Sequence, residues 1–164
     1  METITLDQYD ECYEKKGIIM SGGLGPCIAV AVFNPKKKTV SMIHHPSMYP
    51  DTPLEIFLRT STGGVRNKTG LEVYVVGCSI DNEYEDDMKA NYVRSREYVE
   101  VVLPEWFHKN QLNIHWAKPN EGTELLIDTT TSEVIKTVNG ISTHLNKASP
   151  DKPQYFDSNG YPID

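Results

Sequence analysis

The sequence lacks several features that would assign a protein to common functional classes. No apolar stretch comes close to the ~20 residues of a membrane-spanning helix, and residues 1–7 lack the basic and apolar blocks of a signal peptide. Positive charge is scarce, because 16 lysines and arginines stand against 23 aspartates and glutamates, for a net charge of −7. A general nucleic-acid binder needs a basic face, so we expect no nucleic-acid partner and no membrane insertion.

Cysteine is also scarce. The three cysteines, Cys12, Cys27 and Cys78, form no CxxC pair and are odd in number. This usage argues against a disulfide framework and is typical of reduced thiols in a cytosol. We therefore expect a cytoplasmic protein, and its 164 residues with 38% apolar and 24% charged composition are ordinary for one soluble domain.

What the sequence does contain is a glycine-rich turn that leads into two strand-like runs. The turn covers residues 21–27, and the first run covers 28–33. A loop at 34–38 joins it to the second run at 39–44. So short a loop between two such runs predicts an antiparallel hairpin. Cys27 and His44, seventeen residues apart, then lie at the open ends of the paired strands, where their side chains can meet.

The rest of the chain predicts an α+β fold, with layered mixed or antiparallel sheets and flanking helices. Before the hairpin we expect an arm or short first element at 1–16 and a strand at 17–20. After it we expect a loop at 45–50, a helix from Asp51 or Thr52 to the glycines at 63–64, and a strand at 71–77. A second helix follows the acidic stretch 81–87 and is broken or kinked by Pro104, and a meander of strands covers 112–116, 125–128 and 134–138. We expect one domain over 1–138 and an extended tail at 139–164 that wraps the surface or is disordered.

A thiol and an imidazole at one end of a sheet are the minimum set for cysteine nucleophile chemistry. Neighbouring residues of a strand face opposite sides, so only one of His44 and His45 can meet Cys27, and we choose His44. A purely structural role for Cys27 stays open, since a cysteine before an apolar strand is often a buried small hydrophobe. A zinc site built from Cys27, His44 and His45 has no standard ligand spacing.

The other two cysteines have weaker claims to a role. Cys78 follows a buried strand and is expected to be structural, and Cys12 lies in a polar arm and is expected to have no role. The lysines at 36–38 are interpreted as a solvated hairpin tip. The acidic run at 81–87 is interpreted as a helix start that the helix dipole favours.

The run at 23–35, Gly-Leu-Gly-Pro-Cys-Ile-Ala-Val-Ala-Val-Phe-Asn-Pro, together with His44, resembles the CheD chemoreceptor glutamine deamidases. That family carries a G-L-G-[ST]-C-V-A-V-x-[LI]-[YF]-D-P run and a histidine at the same spacing from the cysteine. It has a threonine six residues before the cysteine, where this chain has Ser21. The cytotoxic necrotizing factor toxins share the Cys-His layout. Pro26 departs from the family pattern and has no N–H to donate.

The resemblance implies a protein-glutamine deamidase that works through a cysteine thioester and needs no cofactor and no metal. Cys27 would attack the carboxamide, and His44 would move the protons. Ser21 would accept a hydrogen bond from the far ring nitrogen of His44 and fix its tautomer. The amides of Gly23, Gly25 and Cys27 are the candidate oxyanion donors and substrate-binding groups.

The resemblance also implies partners. They are a protein substrate with exposed glutamines, namely the helical cytoplasmic arms of chemoreceptors, and a phosphatase of the CheC type. Two alternatives remain open. One is a deamidase effector or toxin that acts on a different protein, and the other is a CheD-like binding module that has lost catalysis, for which Pro26 and Ser21 are the supporting departures.

Overall fold

The computed structural model describes residues 2–46, 53–146, 155–156 and 162–163. Within them, two five-stranded mixed sheets and two helices stack in three layers. One apolar cluster lies between the helices and the first sheet, and a second lies between the two sheets. The fold is therefore α+β with layered sheets, as the sequence predicts.

The strands and helices are numbered here in chain order. Sheet A contains β1 (Glu2–Leu6), β3 (Gly17–Ser21), β8 (Thr123–Asp128), β9 (Glu133–Val138) and β10 (Ile141–His144), in that spatial order. Sheet B contains β2 (Glu11–Lys15), β5 (Thr39–His45), β4 (Ile28–Asn34), β6 (Glu72–Gly77) and β7 (Leu112–Trp116), in that spatial order. The helices are α1 (Pro53–Thr62) and α2 (Asp86–Trp106), and Lys109–Gln111 form one 3-10 turn. A separate antiparallel pair joins β11 (Tyr155–Phe156) to β12 (Pro162–Ile163).

The predicted hairpin is β4 and β5, at the centre of sheet B. Its strands are buried at nearly every position because the sheet is covered on both faces. Ile28 and Val30 of β4 belong to the cluster under the helices, whereas Ala29 and Ala31 belong to the cluster between the sheets. This alternation fixes which residues of the hairpin look toward sheet A.

The N-terminal segment forms two strands, so the prediction of a polar arm or one short element is wrong. β1 pairs in parallel with β3 in sheet A, and β2 pairs with β5 in sheet B. Each of these edge strands buries only one side, which leaves too few apolar residues for a strong sequence signal. The predicted strand at 17–20 is confirmed as β3.

Two predictions after residue 80 are also wrong. β7 does not continue a meander into β8, because it pairs in parallel with β6 across the α2 crossover, while β8 and β9 pair in sheet A. The predicted break at Pro104 is wrong, because α2 runs on to Trp106, and the alternative of a kink there stays a prediction. Pro104 lies in the last turn of the helix, so its missing N–H costs one helical hydrogen bond and only two helical residues follow it.

The segment predicted as an extended tail, 139–164, contains a strand near its start. β10 lies inside the predicted tail and extends sheet A by pairing with β9. The predicted loop beyond residue 46, the cap residues Asp51 and Thr52, and most of the tail after residue 146 lie outside the described residues. No helix within the part of the chain that the structure describes is long and apolar enough to cross a membrane.

Candidate active site

The register of the hairpin places Cys27 and His44 on one face of sheet B. His44 is paired directly with Ala29, so their side chains share a face. Cys27 lies two residues before Ala29 and belongs with it to the cluster between the sheets. His45 lies on the opposite face, where its ring makes an edge contact with Tyr9 at 5.1 Å between centroids. Of the two histidines, His44 shares the face of Cys27.

The His44 ring is held by a main-chain carbonyl. Its Nδ1 lies 2.9 Å from the carbonyl oxygen of Leu6, and the ring is buried. A carbonyl only accepts hydrogen bonds, so Nδ1 carries a proton, and in the neutral imidazole Nε2 then carries the free lone pair. Nε2 is buried and has no hydrogen-bond partner among the described residues. His44 is therefore oriented as a base with its accepting nitrogen unused.

The strand and turn that hold His44 come from the N-terminal segment. The Leu6 carbonyl also accepts a hydrogen bond from the Gly22 amide, at 2.6 Å. In the turn that follows, Tyr9 N–H donates to the His44 carbonyl at 2.8 Å, and His44 N–H donates to the Asp10 carbonyl at 3.0 Å. Sequence reasoning missed this support. The available signal was the pair of aspartates that bracket residues 7–10, a composition typical of turns.

Ser21 makes a different contact from the one predicted for it. Its hydroxyl oxygen accepts a hydrogen bond from the buried Leu125 amide at 2.8 Å, which ties β3 to β8. The place that the prediction gave to the Ser21 hydroxyl, at the far ring nitrogen of His44, is taken by the Leu6 carbonyl. Ser21 thus joins two strands of sheet A next to the candidate site, and Gly22 follows it in the chain.

Cys27 is buried, with 8% of its surface exposed. Burial raises the pKa of its thiol above the ordinary value, and the nearby Cys78 raises it further. No hydrogen bond joins Cys27 to His44, since the His44 Nε2 is unpartnered among the described residues. In the resting state Cys27 is thus a neutral thiol on the same face as an unprotonated imidazole nitrogen.

A tight turn after β6 packs on the main chain of Cys27. The Cys78 amide donates to the Cys27 carbonyl at 2.8 Å, and the Ser79 amide donates to the Gly25 carbonyl at 2.9 Å. Gly77 has a φ of +100°, and a Cβ atom added there would lie 2.4 Å from the Cys27 carbonyl oxygen. Arg96 of α2 donates to the carbonyls of Cys78 and Ala117 and so closes the turn from the helix side. Only glycine permits this approach at position 77.

The glycine turn leaves amides available near Cys27. Its main-chain hydrogen bonds use the amides of Gly22 and Leu24, which bond to Leu6 and Thr123. The amides of Gly23, Gly25 and Cys27 are not among the donors of those bonds. A side chain added at Gly23 or Gly25 would meet no atom within 4 Å, so the space beside both residues is open. These three amides are the oxyanion donors predicted from the sequence.

The remaining cysteines are both buried. Cys12 lies in the cluster between the sheets, so its place in a polar arm is a wrong prediction, and Cys78 lies in the cluster under the helices. All three cysteines are free thiols. No three histidine, cysteine or carboxylate side chains within the described ranges come together as metal ligands.

A second buried histidine shares the inner face of sheet B. His115 of β7 is paired with Val76, which is paired with Ala29, the partner of His44. Burial and, to a smaller extent, the positive charge of Lys136 together lower the pKa of His115 from its ordinary 6.5 to about 4. Sequence reasoning did not single out His115, because nothing distinguishes a histidine in an apolar strand from one on an exposed face.

The chain is similar over part of its length to a known protein. No family model matches the chain. Over 61 residues it is 34% identical to a Syntrophus aciditrophicus protein named probable chemoreceptor glutamine deamidase CheD 1. The matched part is similar to a CheD protein. It makes up 37% of this chain and 37% of the relative, so the chain spans little more than a third of that relative's length. The similarity supports the resemblance to CheD proteins that the residues around Cys27 carry.

Proposed function

We propose that this chain is a protein-glutamine deamidase that uses Cys27 as nucleophile and His44 as base. The observation that carries the proposal is the fixed tautomer of His44. The Leu6 carbonyl holds Nδ1–H, and Nε2 is left as an unused buried acceptor on the face of the sheet that bears Cys27. A buried polar atom without a protein partner costs stability, and a role in proton transfer would account for an unpartnered Nε2 on this face.

The reaction would proceed in two steps. When a glutamine side chain enters, His44 Nε2 takes the proton of the Cys27 thiol, and the sulfur attacks the carboxamide carbon. The carbon–nitrogen bond then breaks, and the imidazolium returns the proton to the departing ammonia. A water molecule, deprotonated by His44, hydrolyses the thioester to give glutamate and the free thiol.

The electrostatics of the site favour proton transfer on attack over a preformed ion pair. Because burial raises the pKa of Cys27, the thiolate forms only when a base takes its proton. The tetrahedral oxyanion would be stabilised by amides of the glycine turn, namely those of Gly23, Gly25 and Cys27. Removal of one such donor typically lowers turnover by about 10²–10³-fold.

The substrate class follows from the similarity to CheD proteins. We propose an exposed glutamine on a helical cytoplasmic arm of a chemoreceptor, with a CheC-type phosphatase as a partner, and accordingly a cytoplasmic location. A deamidase of the same chemistry aimed at another protein is an alternative within this proposal. No cofactor enters the proposed mechanism.

One observation favours a second candidate, a binding module without catalysis. Cys27 is largely buried and its thiol makes no hydrogen bond with His44. A scaffold that keeps the fold but not the activity would show this arrangement.

The test is ammonia release from a purified chemoreceptor cytoplasmic fragment, and from benzyloxycarbonyl-Gln-Gly as a small probe. We expect Cys27→Ser to abolish release and His44→Gln to lower it by about 10²–10⁴-fold, because both lose the proton-transfer pair. The matched control is His45→Gln, which changes the adjacent histidine on the opposite face and should keep most of the activity. Equal loss in both histidine variants would contradict the assignment of His44, and no release from wild type with either substrate would favour the binding module.

A further inference from the structure

Four lysines converge at the end of the molecule opposite to Cys27. They line a cavity of about 260 Å³, here called the lysine pocket, whose walls are Lys16, Lys36, Lys37, Lys38, Thr129 and Thr130. Lys36–Lys38 form the closed tip of the β4–β5 hairpin, whereas Cys27 and His44 lie at its open end. The lysine pocket is therefore separate from the candidate active site.

Hydrogen bonds hold the three segments of the lysine pocket together. Three hydrogen bonds join Thr129 to Gly17. The Thr129 hydroxyl accepts from the Gly17 amide at 2.7 Å, and the Gly17 carbonyl accepts from the Thr129 amide at 2.9 Å and from its hydroxyl at 3.2 Å. Lys38 Nζ donates to the Thr130 carbonyl at 3.4 Å and joins the hairpin tip to the β8–β9 turn. The Asn34 side chain accepts from the Lys37 amide at 3.1 Å and fixes the tip itself.

The positive charge of the lysine pocket is not neutralised within the described residues. No carboxylate among them lies within ion-pair distance of its four lysines. Nearby carboxylates are used elsewhere: Asp128 accepts from the Thr130 amide, Glu72 accepts from the Tyr74 hydroxyl, and Glu133 pairs with His144. Four lysines line one cavity in a chain of net charge −7, and a bound anion would balance their positive charge.

We propose that the lysine pocket binds a phosphate group, either free phosphate or a phosphate monoester on a larger ligand. Lysine ammonium groups are established phosphate ligands, and charge-assisted hydrogen bonds to phosphate are among the strongest in proteins. The cavity, at about 260 Å³, lies below the usual range of roughly 300–1,000 Å³ for drug-sized ligands, which favours a compact anion over a whole nucleotide.

The test is calorimetric titration of the full chain with inorganic phosphate and with a phosphoserine peptide, at constant ionic strength kept by chloride. The double variant Lys36→Gln/Lys37→Gln should weaken binding by about tenfold or more, since two of four ligating charges are lost. The matched control, Lys68→Gln/Lys109→Gln, removes the same two charges from exposed lysines outside the pocket. It should bind as wild type does.

The outcomes separate the proposal from its rivals. Binding of either phosphate probe that only the pocket variant weakens supports the proposal, and the comparison of the two probes tells the free ion from the ester. Absence of binding by both probes, or equal weakening in both double variants, overturns it. Binding of a single-stranded oligonucleotide without binding of phosphate also overturns it, in favour of a nucleic-acid surface. None of these variants touches Cys27 or His44, so the result is independent of the proposed deamidase activity.

Discussion

At the scale of residues, the Leu6 carbonyl determines what His44 can do. In a serine triad an aspartate orients the histidine and stabilises its positive charge. Here a neutral carbonyl fixes the tautomer but supplies no full negative charge, and it also accepts from Gly22. His44 is thus better suited to accept a proton for a short time than to hold a permanent ion pair with Cys27. This agrees with burial raising the pKa of the Cys27 thiol.

Ser21 provides a test of this account. Ser21→Ala removes the acceptor of the buried Leu125 amide, so we expect the free energy of unfolding to fall by about 1–3 kcal/mol. Turnover per folded molecule should stay near the wild-type value, because the hydroxyl does not hold the His44 ring. Urea unfolding and ammonia release on the same samples measure both quantities.

The control is Ser21→Thr, which keeps the hydroxyl and should restore stability. A stable Ser21→Ala protein with strongly reduced turnover would contradict the role assigned here. In that case the Ser21 hydroxyl would orient the His44 ring, as the sequence predicts.

At the scale of elements, the hairpin could be predicted from sequence, but the segments that complete the site could not. Residues 28–44 are strongly β-forming and interrupted by one short loop, so local patterns specify them. Leu6 acts through its main chain, which leaves no mark on residue type. β1 and β2 depend on pairing with β3 and β5, partners that a local pattern does not reveal.

The turn after β6 gives a prediction at this scale. Gly77→Ala should lower the free energy of unfolding by about 2–4 kcal/mol, because alanine disfavours the left-handed backbone and its side chain would strike the Cys27 carbonyl. The turn and Cys27 would move apart, so activity should fall as well. Chemical denaturation and ammonia release check the two effects.

Gly23→Ala is the matched control within the same site. Its added side chain meets no atom within 4 Å, and its amide is kept, so stability should change by about 0.5 kcal/mol or less. If the two glycine variants were equally stable, the close approach of Gly77 to Cys27 would not exist.

At the scale of the whole molecule, the packing of sheet A on sheet B buries groups that titrate. His115 remains unprotonated in the folded protein down to about pH 4, whereas in the unfolded chain it takes up a proton below its ordinary pKa of 6.5. The unfolded state therefore binds more protons between these values, and stability falls as the pH is lowered from 6.5 toward 4. The shift corresponds to roughly 3 kcal/mol.

His115→Gln measures that contribution. The variant should lose less stability than wild type between pH 6.5 and pH 4, while both share the titration of every other group. Thermal or urea unfolding at several pH values gives the difference. Parallel pH profiles for the two proteins would contradict the lowered pKa of His115.

The layered arrangement itself was only partly predictable. Composition and periodicity indicate an α+β fold with sheets, and the residues at 23–44 indicate the site. Assignment of β7 to sheet B and of β8 to sheet A depends on long-range pairing, since a turn signal such as the one near Pro119 does not tell whether the next strand stays in the same sheet. For the same reason the burial of His115 and the partial burial of Lys136 could not be predicted.

The most direct measurement of the central claim is detection of the covalent intermediate. The full chain would be mixed with benzyloxycarbonyl-Gln-Gly, quenched in acid and analysed by peptide mass spectrometry. We predict an acyl adduct on Cys27 and on neither Cys12 nor Cys78, removed by hydroxylamine as a thioester should be and formed with release of one ammonia per adduct. The adduct should be absent from Cys27→Ser. Ammonia release without any adduct on Cys27, or release that persists in Cys27→Ser, would contradict the account.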